Sequence, residues 1–176
     1  MTIDTVKAAP MATVPTPFVD DTLQVLPDWI DSNGHMNVAG YLKAFDEGFA
    51  MAYDWLGLSV AQIALRGLSS MTAEVSISYR QELFVDAPLR ITTQLIACDP
   101  KRAHWMQAMY HRNQGFLAAT AEWLVLHIDM HQRRVSALPA DCYDRLQAVR
   151  DAHAKAPLPA PLGRSISLAN RRPLTP

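Results

Sequence analysis

From residue 68 to residue 128 the chain is composed almost entirely of strand-forming runs, at 68–79, 89–97, 103–111 and 116–128. The stretches between them, FVDAP, CDPK and RNQG, are too short to hold a crossover helix. Short connections make antiparallel neighbours, so the expected arrangement is a four-strand meander, with a fifth strand available at 23–29. Ahead of it, Val38, Tyr41, Leu42, Phe45, Phe49, Ala52 and Leu56 recur at three- and four-residue steps, which predicts one long helix over 38–56 with a broad apolar face. Asn37 stands at its N-cap, Gly40 replaces the Glu or Gln of a capping box, and Gly57 is the stop. One helix against one face of an antiparallel sheet is an α+β architecture. A last amphipathic piece, 140–149, reads as a short surface helix.

With 176 residues, 49% hydrophobic and 19% charged, the chain has the makings of one soluble domain and a single core. Sixteen basic residues against seventeen acidic ones give a net charge of −1, which excludes a general pull toward nucleic acid or an anionic membrane. No run approaches ~20 apolar residues, and the N-terminus lacks a signal-peptide pattern. Two cysteines, Cys98 and Cys142, are too few for a disulfide framework or a cysteine-rich zinc site, so a reduced, cytoplasmic location is expected. Eight of the 12 prolines fall within 1–21 and 152–176. The expected organisation is therefore an extended N-terminal tail at 1–21, one domain at 22–150 and a Pro-rich C-terminal tail at 151–176.

Chemically capable residues concentrate between the first strand and the helix, in PDWIDSNGHMNVAGYLKAFDEG at 27–48. Asp31, Asn33, His35 and Asn37 crowd into seven residues, Gly34 permits an unusual backbone turn, and the run feeds into a helix N-terminus. Unpaired amides and the positive end of the helix dipole make a seat for a developing oxyanion. A carboxylate a few residues upstream can attack a bound carbonyl or deprotonate water beside it, and Asp31 is that carboxylate. The competing structural reading is that Asp31 and Asn33 make Asx-turns and Asn37 only caps the helix.

Asp31-x-x-Gly34-His35-x-Asn37-x-x-x-Tyr41 followed by Phe45 resembles the signature of hotdog-fold acyl-CoA thioesterases of the 4-hydroxybenzoyl-CoA thioesterase type. The strand-helix-strands order and the segment AEWLVLHIDMHQRRVSALP at 121–139 extend the resemblance over roughly residues 22–147. It implies a five-stranded antiparallel sheet wrapped around one central helix, and hydrolysis of an acyl-CoA thioester. In that pattern Asp31 is the nucleophile or general base, and the amide of Val38 points at the thioester oxygen. His35 and Asn37 shape the loop and touch the thioester or a water. Gly34, Met36 and Tyr41 fall at substrate-binding positions. The resemblance also implies a homodimer or dimer of dimers with the site between protomers, and no cofactor beyond the coenzyme A carried by the substrate. Two alternatives remain on the same residues: hydration or dehydration of an enoyl or hydroxyacyl thioester, which also uses an Asp and a His close in sequence, and a non-catalytic acyl-CoA binding domain.

Coenzyme A needs cations for its phosphates, and Lys101-Arg102 and Arg133-Arg134 are the exposed candidates. Glu74 and Glu82 are candidates for a second carboxylate. His127-x-Asp129-x-His131 lacks a further ligand at metal-site spacing, so no metal is expected. His104 and His111 face opposite ways on one strand, at the surface or an interface. Trp29, Trp55, Trp105 and Trp123 are read as core and interface rather than as a cage for a quaternary ammonium.

Overall fold

The computed structural model describes residues 13–164 and 166. Strands β2 (Leu68–Tyr79), β3 (Leu89–Asp99), β4 (Arg102–His111) and β5 (Leu117–Asp129) form where expected, and a two-residue β6 (Arg134–Val135) adds to β5. The meander holds only for β3, β4 and β5. The sheet order is β1-β3-β4-β5-β2, all pairs antiparallel, so β2 lies beside β5 at one edge instead of beside β3. The link from β2 to β3 spans 80–88, and nine residues reach roughly 30 Å when extended, whereas three strand spacings need only about 14 Å. The link can therefore cross the end of the sheet. It is held there by Arg80 N and Gln81 N donating to Ala118 O at 2.7 and 3.1 Å.

The fifth long-range strand is not 23–29. Pro27 has no N–H to give a ladder, and Pro27–Trp29 is a 3-10 turn, with one isolated bridge between Gln24 and Pro88. The strand is β1 (Phe18–Asp20), pairing with β3 from inside the segment expected to be an N-terminal tail. Phe18 is 1% exposed, so the domain begins before residue 22.

The predicted long helix is two: α1 (Val38–Glu47) and α2 (Ala50–Leu56), which Gly57 ends in a left-handed conformation as expected. The break has a cause in the sheet. Buried Gln107 donates to Phe45 O at 2.9 Å and buried Thr93 donates to Gly48 O at 3.1 Å, drawing both carbonyls toward side chains of the sheet. At Gly48 the helix presses so closely on β3 that a Cβ would stand 2.7 Å from Ile91 Cγ2. A further helix, α3 (Val60–Arg66), follows with Ser59 as its cap.

Helix α4 (Ala140–His153) runs four residues past its expected end. Cys142, Leu146, Val149 and His153 are fully buried at helical spacing, so α4 is a core element with one exposed side. His153 Nδ1 accepts from Leu95 N at 2.8 Å, which leaves Nε2 to donate to Pro15 O at 2.8 Å. One neutral imidazole thus ties α4 to β3 and to the N-terminal segment. Of the two expected tails, 13–20 and 151–164 are in part structural; the remainder of both lies outside the described residues, save Ile166.

Among the described residues no helix is long and apolar enough to cross a membrane. The four tryptophans do not form a cage. Trp105 and Trp123 meet Phe49 edge-on in the core, Trp55 packs on Phe18, and Trp29 lies under Lys43.

Candidate active site

The 31–38 loop is built by its own polar groups. Asp31 N donates to His35 O and Gly34 N to Asp31 O, both at 3.0 Å, closing a turn in which Gly34 takes φ 83°. The loop is then fastened at both ends: Asn37 N donates to Trp29 O at 2.7 Å and Met36 N to Leu83 O at 2.8 Å. Met36 is buried, so it holds the loop against the 80–88 link while forming one wall of the cleft.

Both local roles weighed against catalysis are present. Asp31 Oδ1 accepts from Asn33 N at 2.8 Å, an Asx-turn, and Asn37 Oδ1 accepts from Gly40 N at 2.8 Å, an N-cap. They do not exhaust the residues. With Gly40 N capped and Tyr41 N donating to Asn37 O, the amides of Val38 and Ala39 have no hydrogen-bond partner among the described residues. The Asx-turn orients the Asp31 carboxylate without consuming it.

A cleft of about 260 Å³ joins these groups, lined by Asp31, His35, Asn37, Val38 and Tyr41 on one side and by 79–82 on the other. His35 Nδ1 is 3.7 Å from Asp31 Oδ1 and its Nε2 is 3.9 Å from Glu82 Oε1. Tyr41 stands edge-on to Tyr79 at 5.1 Å and donates to Gln81 O at 3.2 Å. Burial pushes the Tyr41 phenol up to about 12, so it stays a donor across the ordinary pH range.

The sequence profile of the thioesterase-like superfamily matches residues 25–147. The chain belongs to the thioesterase-like superfamily. A betainyl-CoA thioesterase from Pseudomonas aeruginosa is 31% identical over 144 residues, covering 82% of this chain and 91% of that protein. An L-carnitine dehydrogenase/betainyl-CoA thioesterase from Rhizobium meliloti is 30% identical over 138 residues; the match covers 78% of this chain but only 28% of that longer protein. A hypothetical protein from Staphylococcus aureus, solved in complex with CoA, superimposes with a TM-score of 0.80 at 25% identity, over 89% of this chain and 98% of that one. The fold is the hotdog fold, and the enzyme is an acyl-CoA thioesterase.

The thioesterase does not gather every residue marked in its sequence. Gly34 shapes the turn but does not line the cleft. Lys101, Arg102, Arg133 and Arg134 lie at the opposite end of the sheet: Arg102 pairs with Leu126 and Arg134 with Asp129, whereas the cleft borders Tyr79. Nine residue steps along β2, from the level of Ser70 to Tyr79, put roughly 30 Å between them within one protomer. Arg102 is also committed to Asp99 at 2.6 Å. Of the second-carboxylate candidates, Glu82 lines the cleft, whereas Glu74 faces a different cavity. Arg80 was missed. Its place in the cleft follows from the turn the chain makes at Ala118 O, which no local pattern announces.

Proposed function

We propose that the thioesterase cleaves its substrate with Asp31 as the reacting carboxylate and with the amide of Val38 as oxyanion donor. The observation that carries this reading is that the carboxylate and the open helix end border one cleft. The thioester oxygen accepts from the Val38 amide, and the helix dipole favours the charge that builds on it. Asp31 then either attacks the carbonyl carbon to give a mixed anhydride that water hydrolyses, or takes a proton from a water that attacks. In both routes the C–S bond breaks and coenzyme A leaves as a thiolate. His35, between Asp31 and Glu82 at the cleft wall, is placed to contact the thioester or the water.

The acyl group we infer is small and cationic, with betainyl-CoA as the leading candidate. A cleft of about 260 Å³ has room for a short acyl group, and Asp31, Glu82, Tyr41 and Tyr79 line it, against the single guanidinium of Arg80. Carboxylates and aromatic rings together attract a quaternary ammonium. The name of the Pseudomonas aeruginosa relative points to the same acyl group.

The working enzyme we propose is a two-fold pair joined along β2. That strand is an edge of 12 residues, and Met71, Val75 and Tyr79 are exposed along it, as are Val38 and Leu42 on the adjoining helix. Antiparallel pairing of β2 with its copy brings the 68 end of one protomer to the Tyr79 end of the other. The basic turn at 133–134 of the second copy then approaches the first copy's cleft, where the phosphates of coenzyme A need cations.

A thiol-release assay over a panel of acyl-CoAs tests the proposal. Betainyl-CoA should be cleaved fastest, butyryl- and benzoyl-CoA more slowly. Binding without thiol release, or a change in enoyl absorbance without thiol, would overturn it.

A further inference from the structure

Helix α3 turns its apolar side away from the chain that carries it. None of its seven residues is buried, and Val60 and Leu65 are 85% and 80% exposed. At helical spacing Val60, Ala61, Ala64 and Leu65 fall on one side and Gln62 and Arg66 on the other. The polar side is the one turned inward, because Arg66 donates to both oxygens of Asp141 on α4, at 2.7 and 3.0 Å. A helix of two turns has little stability of its own and depends on what its apolar side meets. Among the described residues nothing covers that side.

The helix is also held at a fixed angle to the strand that follows. Gly67, between α3 and β2, takes φ 63°, Met130 N donates to its carbonyl at 2.9 Å, and a Cβ there would collide with His131. The apolar side of α3 is thus fixed relative to the 68 end of the edge strand β2. The other end of that strand carries a second uncovered apolar surface. It consists of Tyr79 and, at the start of α1, Val38, which is 65% exposed; both line the cleft.

We propose that α3 of each protomer is the missing wall of its partner's cleft, with Val60 and Leu65 packed over the partner's Val38 and the partner's Tyr79, a placement that rests on the β2-paired assembly proposed above. Antiparallel pairing along the whole of β2 lays Leu68 beside the partner's Tyr79. Because α3 ends one residue ahead of Leu68, it extends past the end of the partner's strand to the partner's cleft. The two uncovered surfaces stand at opposite ends of a strand roughly 36 Å long, so one protomer cannot close them on each other, whereas a two-fold pair closes both, twice. The added wall is hydrocarbon without charge. It excludes water from the thioester and so strengthens the field of Asp31, Glu82 and the helix dipole there.

Complementation between two inactive chains tests this. Val60→Glu with Leu65→Glu changes only exposed positions and should remove most thiol release from the acyl-CoA that the wild-type enzyme cleaves fastest. Co-expressed with Asp31→Asn under a second affinity tag and purified over both tags, it gives a heterodimer whose one intact Asp31 lies under the one intact α3. That species should release thiol at about half the wild-type rate, since one of its two sites is whole. An α3 acting on its own protomer's cleft would leave both sites broken. Val60→Ser with Leu65→Ser, which adds no charge, repeats the test in a second pair. An inert heterodimer, or undiminished turnover in the α3 variants, overturns this proposal and leaves the assembly standing. Failure of wild-type chains under the two tags to purify together overturns the assembly, and the proposal with it.

Discussion

His35 Nδ1 stands 3.7 Å from Asp31 Oδ1 while its Nε2 stands 3.9 Å from Glu82 Oε1, so the imidazole, whose Nδ1 also lies 3.3 Å from Met36 O, sits between the loop before α1 and the link after β2. Asp31→Asn keeps an oxygen for the Asn33 amide and so preserves the Asx-turn, but it removes the charge. Thiol release should fall by about a hundredfold or more with an unchanged circular-dichroism spectrum. Wild-type turnover in Asp31→Asn would return Asp31 to a purely structural role.

Asn37 has a separable structural role. Asn37→Ala removes the acceptor of Gly40 N, which should cost about 1 kcal/mol in urea denaturation. It also loosens the Val38 amide, so kcat should fall more than KM rises. Asn37→Ser restores a cap and should recover most of both.

Stability should fall on acidification in a window set by buried histidines. Burial pulls the His127 imidazole down to about 4, and burial lowers His153 as well. The folded state binds these protons less readily than the unfolded chain does. Their contribution is therefore complete above pH 6.5 and is lost as pH falls toward 4, by up to ~3 kcal/mol for His127. His127→Leu should flatten denaturant midpoints between pH 6.5 and 4. An equally steep profile in that variant would place the titration elsewhere.

The approach of Gly48 to Ile91 predicts a coupled pair. Gly48→Ala puts a methyl where Ile91 Cγ2 already stands and should destabilise by about 1–3 kcal/mol. In an Ile91→Ala background the added methyl should cost less, and a double-mutant cycle reads the difference.

Assembly along β2 is open to the same kind of test. Val75→Lys puts a charge on the exposed edge and should lower the mass in solution while abolishing thiol release. Replacing Arg133 and Arg134 by Ala should raise KM for acyl-CoA and weaken its salt dependence, with kcat little changed. An unaltered KM would remove these arginines from coenzyme A binding.

What the sequence alone determined is local. The four strand runs between 68 and 129, the Asn37 cap, the Gly57 stop and the turn at Gly34 are set by backbone preferences and short-range hydrogen bonds, and they stand where the residues indicate. The tertiary structure decided what depends on partners far along the chain. It split the helix at Gly48, because Gln107 and Thr93 bind helix carbonyls from strands more than 40 residues away. It moved β2 to the far edge, because a nine-residue link is long enough to cross the sheet. Phe18 and His153 entered the core from apparent tails, because burial is a property of what packs against a residue and not of the composition around it. The basic pairs, equally plain in the sequence, ended far from the cleft for the same reason.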